Sequence, residues 1–325
     1  MIVTVYDSDV RKKGLYEHFV SLLWTTLYNE TGTFCLEMNA DALAPGEIVP
    51  GDYVGIDISP LSLMIVTAIE LSKSKIVITG HTADFLLRTR VSDVTIRNKN
   101  AEEAMRQLVN DMRPIPHLTL GEIADIPDKF SAQTSDKSIY EYCNVIGQAC
   151  DVGFRVRKSG KDLVFECYKP TTNTGAMFAA KYGNLTAERY SESVVQFANV
   201  AIVAGQGSGD SRVTVTVGDT DAEGLDRSEI YVDARNIQKE EDETDEEYLE
   251  RLREHGLEKL ASCTKIKNTQ FTAEDDLVQL GDVVQIRPTY SAERMTARVV
   301  SVSLKCQNNQ IKRTIAVGTP ITARK

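Results

Sequence analysis

The residues able to do chemistry are scattered through this sequence. Four histidines, His18, His81, His117 and His255, lie far apart, with no His-Glu-x-x-His pattern, Cys-x-x-Cys pair or Gly-x-Ser-x-Gly elbow beside them. Each reads as a surface or structural histidine. The six cysteines, Cys35, Cys143, Cys150, Cys167, Cys263 and Cys306, show no metal-ligand spacing. Cys143 and Cys150 stand two helical turns apart on a stripe with Ile139 and Ile146, so they read as reduced thiols packed as small hydrophobes. The run Gly205-Gln206-Gly207-Ser208-Gly209 has the glycine density of a phosphate loop. A strand pattern follows it where a helix N-terminus is required, and it reads as a hairpin loop. Asp7, Asp9, Asp52 and Asp282 invite a carboxylate-pair or metal reading, but the Gly-Asp spacing makes Asp52 and Asp282 turn formers first. The acidic run 240–247 lacks the glycine that a calcium loop needs at its sixth position. The expectation is a protein with no catalytic residues, no metal and no cofactor.

What must be positioned, then, is surface. The strongest signal is a repetition about 230 residues apart. Gly51-Asp52-Tyr53-Val54-Gly55-Ile56 leads to Leu63–Ile69 and then Ile76–Gly80. Gly281-Asp282-Val283-Val284-Gln285-Ile286 leads to Arg298–Ser303, a turn over 305–309, and Ile311–Gly318. Each copy is a Gly-Asp turn followed by β-branched runs with polar punctuation, the pattern of a small antiparallel barrel or sandwich. Two similar β-modules in one chain are expected.

With 325 residues, 42% hydrophobic and 26% charged, the chain is long enough for two or three domains of ordinary globular composition. No apolar run approaches a membrane span, no signal-peptide layout opens the sequence, and a protein made and folded in the cytoplasm without a membrane anchor is expected. A net charge of -10 argues against a surface that neutralises phosphates.

Three segments follow, and the fold class expected is mainly β with an α+β middle domain. Residues 1–95 read as the first β-barrel, with strands at 1–6, 21–28 and 33–38 and a hairpin turn at 29–32 whose Gly32 can take positive φ. Leu15 to Val20 fits either a strand or a short helix. Residues 96–190 read as an α/β layer. It holds a helix through Ala101, Ala104, Met105, Leu108, Val109 and Met112, a second over 138–151, and a hairpin around Lys158–Asp162. Residues 191–325 read as the second barrel, with strands at 194–204, 211–217 and 229–234 and an inserted helix over about 244–261. Thr244 and Glu247 fit a capping box for that helix.

The run Ile76-Val77-Ile78-Thr79-Gly80-His81-Thr82-Ala83-Asp84-Phe85-Leu86-Leu87-Arg88-Thr89-Arg90 resembles the strand ending in Thr-Gly and the Leu-Leu-x-Arg turn of phage tail hub proteins. These are the baseplate or tail-tip hubs of siphophages, contractile phages and phage-tail-like particles. Leu163–Tyr168, Gly183–Leu185, Gln196–Gly205, Leu225–Arg227, Tyr231–Arg235 and Leu280–Val284 are similar to successive landmarks of that family, in order along nearly the whole chain. Nothing in the sequence resembles the lysozyme or endopeptidase domains that some hubs carry.

The resemblance implies a structural hub of a virion or tail-like particle: a homotrimer displaying six tail-tube-like barrels, so that three chains dock on a sixfold tube. It implies as partners the tail tube protein, a spike or fibre protein, other baseplate proteins, and a tape-measure protein or DNA crossing an acidic lumen without specific binding. The alternatives are a receptor-binding tail-tip protein, for which Trp24 is the only tryptophan available, and a cell-wall hydrolase component. Val54, Ile56, Ile58, Val283, Val284 and Ile286, beside the two Gly-Asp turns, are the expected interface residues. The helix over 244–261 is a second candidate contact for a baseplate protein, against a plain role as a solvated cover.

Overall fold

Seven strands open the chain: β1 (Val3–Tyr6), β2 (Lys12–Tyr16), β3 (Ser21–Leu27), β4 (Glu30–Asn39), β5 (Tyr53–Ile56), β6 (Ser59–Leu71) and β7 (Lys75–Thr82). In β4, Phe34, Leu36 and Met38 are buried while Thr33, Cys35 and Glu37 face away from the core. The structure is a computed structural model. It describes every residue except 45, 93–94, 127–128, 134–136, 194–196, 240–242, 264–265, 274–277, 292 and 321–325. Two details differ from expectation. The β3–β4 turn is Tyr28-Asn29, with Asn29 at φ 53, because Gly32 is needed inside β4, where a Cβ would meet the Thr25 carbonyl oxygen at 2.3 Å. The ambiguous stretch after Leu15 ends strand β2 and forms no helix.

A 3-10 turn (Ala83–Thr89) leads into the middle layer: β8 (Val91–Ser92), β9 (Thr95–Asn100), α1 (Ala101–Asp111), β10 (Leu118–Leu120), β11 (Lys129–Gln133), β12 (Lys137–Ser138), α2 (Ile139–Cys150), β13 (Gly153–Ser159) and β14 (Asp162–Tyr168). Asn100 caps α1, and Ser138 with Glu141 forms a capping box on α2. The helices bury Ala104, Met105, Leu108, Ile139, Cys143 and Ile146 against Phe154 and Phe165 of the β13–β14 hairpin.

The rest of the chain comprises β15 (Thr172–Ala179), β16 (Leu185–Ser193), β17 (Val200–Ala204), β18 (Thr214–Gly218), β19 (Glu229–Asp233), α3 (Asp245–Ser262), β20 (Ile266–Ala273), β21 (Val283–Arg287), β22 (Met295–Gln307) and β23 (Gln310–Pro320). Two units result, one of residues 1–188 with 270–325 and one of residues 189–269. In the smaller unit, β17 lies between antiparallel β18 and parallel β19. Helix α3 packs on this sheet through Tyr248 and Leu252, and Gly256 lets it approach Val203 and Val217. The helix expected among the strands of the second module therefore covers a three-stranded sheet of its own. Its capping box, Thr244 with Glu247, is present, whereas residues 240–242 of the acidic run and 194–196 of the expected strand lie outside the described residues.

The described residues build a 13-stranded sheet, ordered β16-β20-β23-β22-β3-β4-β7-β6-β5-β1-β2, with β21 pairing both β22 and β15; all of it belongs to the larger unit except residues 189–193 of β16 and 266–269 of β20. The repetition in sequence is a repetition in structure. Strands β5, β6 and β7 run antiparallel in series, as do β21, β22 and β23. Val54 pairs with Met64 and Val284 with Ala297. A bulge follows Val66 in one copy and Val299 in the other, so that Phe34–Gly80–Val66 in the first corresponds to Phe271–Val317–Val299 in the second. The sequence alignment of Gly80 with Gly318 is off by one residue, because pairing places Val317 opposite that bulge. Each copy has its own core. The copies differ at one edge, where β1 is antiparallel to β5 but β15 is parallel to β21.

Candidate functional site

The groups that could do chemistry are placed structurally. His81 stacks on Phe85 with ring centroids 4.9 Å apart, and His117 Nε2 lies 3.5 Å from Asp9 Oδ1. Among the described residues no group of three His, Cys, Asp or Glu could hold a metal ion. Among the described residues no disulfide joins any of the six cysteines. Burial pushes the Cys143 thiol well above its ordinary range and Cys167 up to about 12, which leaves little thiolate for nucleophilic work.

The two aspartates hold corners. Gly51 and Gly281 take φ 96 and 91, a left-handed conformation that admits glycine without strain. Asp52 Oδ2 accepts from Val49 N, and Asp282 Oδ2 from Gln279 N, both at 2.9 Å. The backbone bonds repeat as closely. Gly51 N donates to Val66 O and Val66 N to Asp52 O, at 2.9 and 2.8 Å; Gly281 N to Val299 O and Val299 N to Asp282 O repeat both distances. Asp52 also receives Lys13 Nζ at 2.7 Å. These carboxylates fold the chain, as the Gly-Asp spacing predicts.

What the fold offers instead is a joint and a face. Strand β22 is long enough to serve two neighbours: Met295–Arg298 pair with β21, and Ser301–Gln307 pair with β3 of the other module. The joint has two sides. Inward, Leu304 lies opposite Trp24, which is 1% exposed and packs at a tilt against Phe34, with ring centroids 5.8 Å apart. Outward, Ser303 lies opposite Thr25, their hydroxyls 3.0 Å apart, and Lys305 opposite Leu23. This outward face continues through Thr33 and Thr79, and across Thr314 and Lys312, as a polar surface spanning both modules.

Of the expected interface residues, Val54, Ile56, Val284 and Ile286 are buried in the two module cores and have no area to give a neighbour. Their period-two alternation marks the inner face, and the inner face of a strand faces its own core. Val283 is half-buried and Ile58 is 45% exposed. Sequence reasoning missed the joint itself and its counterparts, the outer half of β6 and strand β16. Trp24 with its apolar neighbours was the one local signal pointing there.

A match to the Siphovirus ReqiPepy6 Gp37-like protein family spans residues 2–319. Solved structures similar to this chain include phage tail proteins. A tail protein from Neisseria meningitidis MC58 has a TM-score of 0.61 at 12% identity, over 98% of this chain and 96% of that one. The 43 kDa tail protein of prophage MuSo2 from Shewanella oneidensis gives 0.60 at 13% identity, over 98% and 97%. A component of the phage P2 baseplate in its activated conformation gives 0.53 at 12% identity, over 99% and 100%. No curated protein matches the sequence. The fold is thus the fold of phage tail and baseplate proteins, as the resemblance to tail hubs implies. The chain belongs to the Siphovirus ReqiPepy6 Gp37-like protein family.

Proposed function

We propose that this chain is the structural hub of a phage tail, a homotrimer whose six barrels present a sixfold face to the tail tube protein and a threefold face to a spike or fibre protein. The observation that carries this reading is the β3–β22 joint together with its unfilled equivalents. The duplication maps β3 onto β16 and β22 onto β6. Among the described residues, β16 ends the sheet, and the half of β6 beyond Val66 has β7 on one side and no strand on the other. Leu71, which matches Leu304, is 70% exposed. Strand β16 of a second copy laid along β6 would repeat the internal joint, and three copies would close the ring and remove both open edges.

The outward face would then line the bore. It carries Thr25, Thr33, Ser303 and Thr314, the Glu37–Lys75 pair at 2.8 Å, and Lys305 and Lys312. Such a wall is hydroxyl-rich with both signs of charge rather than uniformly acidic. It suits passage of a tape-measure protein or DNA without specific binding. The role needs no catalysis, and other baseplate proteins would surround the ring within the virion.

Light scattering on the purified protein tests the reading. A mass three times the 36.0 kDa of one chain is expected, with threefold rings in negative stain. Leu71→Glu should keep the circular dichroism spectrum of a folded chain and yield monomers. A wild type that stays monomeric when concentrated, or a Leu71→Glu protein that still forms trimers, sinks the assignment. A peptidoglycan zymogram should remain blank.

A further inference from the structure

The duplication carries the register of the internal joint over to a joint between copies. Within one chain, Ser303 of β22 stands opposite Thr25 of β3, with their hydroxyls 3.0 Å apart. The bulges after Val66 and Val299 align β6 with β22, so Glu70 takes the place of Ser303 as Leu71 takes that of Leu304. Strand β16 is aligned by its neighbour β20. Phe271 matches Phe34, so Thr272 matches Cys35, the partner of Leu23. Thr186 Oγ1 donates to Thr272 O at 2.8 Å, as Thr26 Oγ1 donates to the residue opposite it, Val302, at 3.3 Å. Thr186 therefore takes the place of Leu23, and Glu188 that of Thr25. Leu185 then matches Leu22, and each packs against the core of its own module. Where the internal joint holds two hydroxyls in contact, the joint between copies holds two carboxylates.

Side chains directly opposite on antiparallel strands stand about 5 Å apart, and like charges there oppose pairing. The neighbouring strands offer little to offset them. Glu70 pairs with Val77, and Val77 with Glu37, whose carboxylate already holds Lys75 Nζ at 2.8 Å. On the same strands, burial raises the Cys35 thiol and keeps it neutral, and His81 stacks on Phe85 at the far end of β7. Lys73 lies in the β6–β7 turn. On β16, Arg189 alternates to the opposite face from Glu188. The Glu188 carboxylate accepts from Thr289 N, at 3.1 and 3.0 Å, and from the Thr289 hydroxyl, which hold it at the edge that a second copy would meet.

We propose, on the trimeric reading of the hub, that each joint between copies is proton-linked: Glu70 of one chain meets Glu188 of the next, the two carboxyls share one proton, and the ring closes more tightly as pH falls. Glu188 is engaged by Thr289, so Glu70 takes the proton from solvent and donates it across the joint. The closed ring thus binds a proton that separate chains release at neutral pH. The penalty on association is absent in acid, grows as pH rises through the carboxyl range, and is complete above it.

Sedimentation equilibrium of the intact protein at pH about 8 and about 5.5 reads the linkage. The concentration at which half the chains are trimeric should fall at least about tenfold at the lower pH. Glu70→Gln should reach at pH about 8 the half-point that the wild type reaches at about 5.5, and should change less than about twofold with pH. Glu188→Gln should act in the same direction, and the double variant should gain no more than the stronger single, because each substitution removes the same repulsion. All variants should keep the circular dichroism spectrum of the wild type. Trimers whose half-point ignores both pH and Glu70→Gln overturn the proton link and leave the hub reading standing. Two single effects that add in the double variant overturn the link as well. A wild type and a Glu70→Gln protein that both stay monomeric at pH about 5.5 overturn the link and the trimer together.

Discussion

Gly80 is the residue on which the first module is least forgiving. A Cβ there would stand 1.9 Å from the Ile65 carbonyl oxygen and 2.6 Å from the Phe34 ring. Gly80→Ala should cost more than about 3 kcal/mol or abolish soluble expression, while Gly318→Ala, one residue past the matching position, should be far milder. Asn29 binds the β3–β4 turn to the end of α2. It donates to Val152 O at 2.9 Å and accepts from Phe154 N at 3.2 Å. Asn29→Ala leaves both main-chain groups buried and unpaired, and urea unfolding should show a loss of about 2–4 kcal/mol. Asp84 gives a pH signature, because burial raises its carboxyl from 3.8 to about 6. A raised carboxyl means the folded state binds the proton more tightly than the unfolded one. The cost is therefore absent below the unfolded value, grows between the two values, and is complete above the folded one. Asp84→Asn should raise stability by about 2–3 kcal/mol at pH about 7.5, and the gain should vanish near pH about 4.

At the scale of elements, the duplication explains where the smaller unit sits in the chain. Strands β3 and β4 are joined by two residues, Tyr28-Asn29, whereas their counterparts β16 and β20 are separated by the whole β17-β18-β19-α3 insertion. A hairpin turn tolerates insertion because its strands are held by pairing, not by the loop. Helix α3 depends on its own start signals, and Thr244→Ala should destabilise the smaller unit by about 1 kcal/mol. Hydrogen exchange should show faster amide exchange in α3 with β6 and β22 unchanged.

Across the whole molecule, two substitutions separate folding from assembly. Val284 is fully buried and Leu71 is 70% exposed, although both lie in repeated strands of the modules. Val284→Asp places an unpaired charge in the second core and should prevent folding of the monomer, visible as lost near-ultraviolet circular dichroism. Leu71→Glu should retain the monomer's spectrum and affect only association.

The sequence by itself determined the repeated Gly-Asp corners, the period-two runs after them, the helices observed at 101–111, 139–150 and 245–262, and the Thr244–Glu247 capping box of the last. These depend on φ preference, side-chain alternation and local hydrogen bonds, all written in neighbouring residues. Tertiary structure alone decided that Val54, Ile56, Val284 and Ile286 face their own cores, that Gly32 is a close-approach residue rather than a turn residue, and that β22 continues past its module to pair with β3. Alternation identifies an apolar face without saying what covers it. Pairing between strands some 280 residues apart leaves no local trace, because any extended strand with a free edge offers the same backbone donors and acceptors.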